Sequence, residues 1–299
     1  MTLHRAHLTA RLQLLAVAAL FSTGGAAIKA TALAGWQVAS FRSGVAALVI
    51  WAVVPAARRG WTRRTWLVGA GYALTMVSFV VANKLTTAAN AIYLQSAAPL
   101  YILLLGPLLL REPVRRRDVV FIAVVALGLA CFFFGESPAA ATAPDPRRGN
   151  LVAVLSGIGW AATVMGLRWI GANDEAGSTY PVVVAGNLLA FLVCLPLALP
   201  VGPTRPTDWL AIGYLGVFQI GLAYILMAAA IRHVAAFEAS ALLLLEPALS
   251  PAWAWLVHGE RPGPLALLGG ALIMAATLVK TLVESRGTRV ASPHPGSPD

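Results

Sequence analysis

A chain of 299 residues with 59% hydrophobic and only 11% charged side chains is not a soluble domain, in which about a quarter of the residues carry charge. Its apolar residues come in blocks long enough to cross a bilayer, about 20 residues per helix, so the composition marks a polytopic membrane protein. The net charge of +10 does not point to nucleic acid, because the basic residues sit in short breaks between apolar blocks and not on one soluble face.

The N-terminus has the outline of a signal peptide, with Arg5 and Arg11 ahead of an apolar core. The apolar run continues to Ala34, however, interrupted only by Lys29. Residues 1–11 are therefore expected to be a short leading segment and Leu12–Ala30 the first span. Further spans are expected near Trp36–Val54, Trp66–Ala82, Ala88–Leu110, Val119–Phe134, Leu151–Ile170, Pro181–Leu199, Trp209–Ile231, Ala236–Val257 and Pro264–Val283. The fold class predicted is an all-α integral membrane protein of ten transmembrane helices. Lipid requires each segment to satisfy its own backbone polar groups, and the blocks lack the alternation of barrel strands. Cys131 and Cys194 each lie inside an apolar block, which argues against a disulfide framework or a metal site.

Charge in the breaks sets orientation. Arg58, Arg59, Arg63 and Arg64, then Arg111, Arg115, Arg116 and Arg117, share the N-terminal side, while the opposite side of the first half has only Lys84 in a break. Both termini are expected to be cytoplasmic, in the cytoplasmic (inner) membrane of the cell. Gly135–Asn150 is Pro/Ala-rich and reads as a linker, and residues 284–299 as a disordered cytoplasmic tail.

Two stretches share one layout. Ala91–Glu112 and Leu242–Glu260 each carry a mid-span proline, Pro99 and Pro247, and a closing acid, at a constant offset that also pairs Lys84 with Arg232 and Leu94 with Leu242. The chain therefore reads as two related halves, 12–134 and 151–283. Five spans per half is an odd number, so the second half lies inverted relative to the first. Inverted repeats of this kind are the architecture of many secondary transporters, with the substrate site near the midplane between them.

The stretches AANAIYLQSAAPLYILLLGPLLLREPV and EASALLLLEPALSPAWAWLVHGERP, each followed by a Gly/Ala-rich span, together with AAIKA and FRSG around Lys29 and Arg42, resemble the drug/metabolite transporter superfamily, of the EamA type. The resemblance covers nearly the whole chain. It implies two inverted five-helix repeats around a central cavity, and alternating access that moves small metabolites, often outward. One departure is that the first repeat has Ala98 where the second has Glu246.

Candidate cavity residues follow from polar side chains placed deep in apolar spans, where they are costly. Glu246 leads, as a cavity group and as the coupling candidate for protons or a cationic substrate group. The alternative is a neutral acid hydrogen-bonded across a helix near Pro247. Ser250 and Trp253 follow it at helical spacing. The fourth span offers Asn90, Tyr93, Ala97 and Tyr101 on one face and Gln95 on a neighbouring face. Trp160, Gln219 and Tyr224 are weaker candidates, with packing the alternative. Lys29 and Arg42 would attract a carboxylate or phosphate if they face inward, and would otherwise snorkel to the headgroups, the reading favoured for Lys84.

Three function classes are open to such a chain: a carrier, an enzyme and a channel. A membrane-embedded lipid-modifying enzyme needs convergent acids or a His/acid pair, and a channel needs a polar pore at every level. The isolated polar residues near mid-span suit a carrier best, and neither cofactor nor metal is implied. The expected partners are the lipid bilayer, a small-molecule substrate and, as the coupling ion, protons, with monomer and homodimer both open. Export of an amino acid or similar amphiphilic metabolite is the preferred activity, with efflux of drug-like organic cations the alternative.

Overall fold

The computed structural model describes residues 3–109, 116–134, 139–173, 179–231 and 233–290. Nearly all of these are helical; outside the helices there is one isolated β-bridge, between Ala140 and Ala143. Among the described residues, nine helical stretches are long and apolar enough to span a membrane, from His7–Ala30 to Pro264–Val283, and a tenth, Asp118–Phe134, is shorter. The protein is a multi-pass membrane protein. Large side chains such as Leu48, Leu67, Val120 and Leu210 are more than half exposed, as an outer surface solvated by lipid requires.

Three of the spans are broken. The first is α1 (Leu3–Ser22) followed after Thr23 by α2 (Gly24–Ala30). The second and third spans are unbroken, α3 (Gly35–Val53) and α4 (Arg63–Leu85). The fourth divides at Ala97 into α5 (Ala88–Ser96) and α6 (Ala98–Leu109), and the fifth is α7 (Arg116–Phe134). The second half runs α8 (Pro146–Asn173), α9 (Thr179–Ala198), α10 (Pro206–Tyr214), a π-helical turn Leu215–Leu222, and α11 (Ala223–Ala230). The ninth span divides at Leu244 into α12 (Ala236–Leu243) and α13 (Leu245–His258), and α14 (Pro264–Val290) closes the chain. The breaks at Ala97 and Leu244 have one cause: Pro99 and Pro247 lack an N–H and crowd the preceding turn. Each therefore sits in the first turn of the following helix, where no N–H is needed.

Some boundaries differ from expectation. Helix α8 starts at Pro146, five residues before the expected Leu151, because Asp145 precedes it and its Oδ1 accepts a hydrogen bond from the Arg148 N–H (3.1 Å). Helix α14 continues to Val290, past the expected end at Val283. Residues 291–299 of the expected tail, Arg111, Glu112, Arg115 and Arg232 lie outside the described residues.

The two halves interlock. Helix α4 packs along α8 and α9, and α3 along α9. Small residues permit this approach: a Cβ on Gly186 would lie 2.8 Å from the Gly69 carbonyl oxygen, and one on Gly159 would lie 3.0 Å from that of Gly71. The broken fourth and ninth spans meet through α5 and α13, while α6 makes its main contacts with α8 and α7, and α12 with α1 and α14. These two spans therefore touch in one half of the bundle and diverge in the other.

A cavity between the two halves

The diverging spans leave a cavity of about 190 Å³ at the centre of the bundle, lined by Phe21, Arg42, Met76, Phe79, Ile92, Gln95, Ser96, Trp160, Gln219, Ile220, Tyr224, Met227, Leu243 and Glu246. Both halves contribute. A larger groove of about 660 Å³ lies on the outside, between α3, α9 and α10, with Leu48, Leu188 and Phe191 among the apolar side chains that dominate its lining. Another runs between α7 and α14. The groove between α3, α9 and α10 suits acyl chains, and the one between α7 and α14 has only the mutually paired Asp118 and Lys280 as charged lining; the central cavity combines polar groups from both halves.

Among the described residues, Arg42 is the largest side chain that is essentially fully buried, at 1% exposure. It points inward, settling the choice between cavity and headgroup. One edge of the guanidinium is held by α4: Nη2 donates to the Met76 carbonyl oxygen at 3.1 Å and lies 3.7 Å from Met76 Sδ. Nε, which shares that edge with Nη2, has no hydrogen-bond partner among the described residues. Tyr72 and Tyr224 stand beside the group, their rings edge-to-face with centroids 5.6 Å apart. Asn187 Nδ2 donates to the Tyr72 hydroxyl at 3.4 Å and to the Val183 carbonyl at 2.9 Å.

Glu246 faces this cavity from the opposite half, in the first turn of α13, where the helix dipole favours a carboxylate. Its carboxylate makes neither a hydrogen bond nor an ion pair with the described residues, so it does not neutralise Arg42. Gln219 lies in the π-helical turn, a local widening often found at functional sites. Its Oε1 is buried without a partner. Gly24, at the break of the first span, makes room for it: a Cβ there would lie 2.8 Å from Gln219 Nε2. Gln95 Oε1 accepts from the Ser156 hydroxyl at 3.1 Å. Trp160 completes the polar and aromatic wall.

Of the twelve residues singled out from the sequence, these six (Arg42, Gln95, Trp160, Gln219, Tyr224 and Glu246) line the cavity, and six lie elsewhere. Tyr93 is packed against Gly270 of α14 and Phe132. Asn90 Nδ2 donates to Thr86 Oγ1 (3.2 Å) and Asn150 Oδ1 (3.0 Å). Tyr101 covers Gly157 of α8. Ser250 is buried near Gly25, and Trp253 Nε1 donates to the Ser22 hydroxyl at 3.0 Å. The stripe Asn90, Tyr93, Tyr101 thus faces neighbouring helices, and Gln95, on the adjacent face, reaches the cavity together with Ser96. Lining residues not anticipated are Phe21, Met76, Phe79, Ile92, Ser96, Ile220, Met227 and Leu243. Most are apolar, and nothing distinguishes an apolar cavity wall from an apolar core in a sequence. Ser96 did carry a signal, as a hydroxyl beside Gln95.

Lys29 lies in a second cluster, which closes one end of the bundle. Its ammonium is 3.1 Å from Glu260 Oε1 and donates to the carbonyls of Thr86 and Thr142. Glu260 Oε2 accepts from the Ala88 N–H at 2.7 Å. Lys84, expected to snorkel, instead donates to the Thr31 carbonyl (2.7 Å) and hydroxyl (3.1 Å). Asp208 accepts from the Ala32 N–H at 2.8 Å and the Arg205 N–H at 2.9 Å. At the opposite end, Arg11 of α1 is paired with Glu238 of α12, both partly exposed.

The chain matches the model of the EamA-like transporter family twice, over residues 8–134 and 147–282. It is 26% identical over 268 residues to the pseudopaline exporter CntI of Pseudomonas aeruginosa (strain UCBPP-PA14), covering 86% of this chain and 90% of that one. An uncharacterized transporter of Archaeoglobus fulgidus is 27% identical over 210 residues, covering 69% of this chain and 72% of the relative. One solved crystal structure superposes with a TM-score of 0.59 at 20% identity, over 96% of this chain and all of the other, a likeness of fold alone.

Proposed function

The chain belongs to the EamA-like transporter family, and on that premise we propose that it is a secondary carrier exporting a small amphiphilic metabolite, of the amino-acid kind, across the cytoplasmic membrane. The observation that carries this reading is the central cavity, with Arg42 from one half and Glu246 from the other on its walls. Its volume, about 190 Å³, falls below the roughly 300–1,000 Å³ of sites for drug-sized ligands. That favours a small metabolite over bulky organic cations, although Glu246 would suit the latter. The exported substrate of the relative CntI supports the outward direction.

The mechanism is alternating access. The repeats 12–134 and 151–283 rock about the small-residue contacts between α4, α8 and α9, and no covalent step is involved. In the conformer described the Lys29 end is closed by the buried Lys29–Glu260 cluster, and Met227 and Leu243 line the central cavity. On the orientation expected from the loop charges, the closed Lys29 end is the outer one, which supports reading this conformer as inward-facing and poised to load substrate for export. Opening the far side requires the Lys29–Glu260 contact to part.

Reconstituted protein tests the reading. Proteoliposomes would be given labelled amino acids, organic cations and organic anions, with and without an imposed pH gradient. Saturable movement of one class is expected, and a gradient effect lost in Glu246→Gln would assign proton coupling to that residue. Absence of saturable movement for every class would overturn the carrier assignment.

A further inference from the structure

Two opposite charges face the same cavity without pairing, and their separation is the informative feature. Arg42 is 1% exposed, has Nη2 fixed to the Met76 carbonyl and leaves Nε without a partner. Glu246 lines the same cavity from the second half, with neither a hydrogen bond nor an ion pair to the described residues. A buried donor left unsatisfied is costly, and a buried charge without a partner more so. Proteins keep such groups where something else completes them. Tyr224 lines the same cavity, and Gln219 Oε1 is a further buried acceptor without a donor.

We infer that the substrate is a zwitterion read at both poles: its carboxylate bonds to Arg42 Nε, and its ammonium group to Glu246, with Gln219 Oε1 taking a second ammonium proton. This deepens the carrier reading and rests on it. Charge balance gives the argument its direction. A cation would be held by Glu246 while adding to the uncompensated charge of Arg42. An anion would do the reverse. Only a molecule carrying both charges leaves the low-dielectric cavity neutral with each pole paired. The rest of the lining, including Phe21, Phe79 and Ile92, is apolar and accepts an aliphatic or aromatic remainder. The inferred class is therefore a small α-amino acid or a compound with the same headgroup.

The test uses the full-length protein in proteoliposomes with two matched sets of labelled probes. The first is phenylalanine, phenylethylamine and 3-phenylpropionate. The second is leucine, isopentylamine and 4-methylpentanoate. Carrier-mediated movement is defined as the saturable part above protein-free vesicles. Wild-type protein is expected to move a zwitterion at least tenfold better than the amine or acid of the same side chain, the scale of a charge-assisted hydrogen bond. Arg42→Gln should lose the zwitterion and gain the amine, and Glu246→Gln should lose the zwitterion and gain the acid. That crossed exchange of preference is not produced by a variant that merely misfolds. Arg42→Lys, which keeps the charge, should still exclude the amine. Saturable movement of an amine or acid as good as that of its zwitterion overturns the two-pole assignment and leaves the carrier reading standing. No saturable movement of any probe overturns the inference; if the wider panel of amino acids, cations and anions also fails, the carrier reading falls with it.

Discussion

Lys29 Nζ lies 3.1 Å from Glu260 Oε1 with both side chains almost wholly buried, at 3% and 4% exposure. The pair joins α2 of the first half to Glu260, two residues past the end of α13 of the second. It is held by charge more than by an aligned hydrogen bond, because the ammonium protons go to the carbonyls of Thr86 and Thr142 while the other Glu260 oxygen takes the Ala88 N–H. Removing one partner leaves an uncompensated buried charge, which costs about 3–5 kcal/mol. Lys29→Met alone is expected to lower the unfolding free energy by that order. Lys29→Met combined with Glu260→Leu should recover most of it, since well-packed apolar replacements of buried pairs are often neutral. Denaturant titration in detergent checks this; a double variant no more stable than the single one would contradict it.

The Arg11–Glu238 pair at the other end should behave differently. Its side chains are 48% and 25% exposed, and ion pairs in such settings contribute about 0–1 kcal/mol. Arg11→Ala is expected to shift the unfolding midpoint little, and less still in high salt. The informative quantity is the contrast with Lys29→Met under one protocol.

Glycines at the contact between halves give a third test. A Cβ on Gly186 would lie 2.5 Å from Tyr72 Cδ1 and 2.8 Å from the Gly69 carbonyl oxygen, whereas nothing lies within 4 Å of one on Gly213. Gly186→Ala should cost about 1–3 kcal/mol through overpacking. Gly213→Ala, inside α10, should be neutral or stabilise by about 0.5–1 kcal/mol from helix propensity. Thermal unfolding of the two variants side by side decides the matter.

Gly24 separates seating of the site from folding. The Cβ of Gly24→Ala would lie 2.8 Å from Gln219 Nε2, the end of a flexible side chain, which can move aside cheaply. The variant should fold within about 1 kcal/mol of wild type, while losing one positioned hydrogen bond weakens substrate roughly two- to tenfold. A raised KM with an unchanged unfolding midpoint is the expected result in proteoliposomes.

The architecture was legible in the chain because its causes are local. Apolar length marks the spans, and Pro99 and Pro247 mark the breaks that the structure places at Ala97 and Leu244. The paired layout of the two halves corresponds to the two separate matches to one family. Glu246 and Arg42 could be picked out for the same kind of reason: a charge deep in an apolar span is expensive wherever it points.

What the chain by itself did not carry was which polar face meets which. The spacing of Asn90, Tyr93 and Tyr101 defined a stripe, but the rotation of the fourth span turns that stripe toward Asn150, Gly270 and Gly157, and turns Gln95 to the cavity. Lys29 and Glu260 were both visible as charges, yet their contact spans 231 positions and exists only because α2 and the end of α13 are brought together. Hydropathy and proline positions act within one helix, so the sequence determines them alone. The facing of side chains depends on how each helix is rotated against its neighbours, which only the packing of the whole bundle decides.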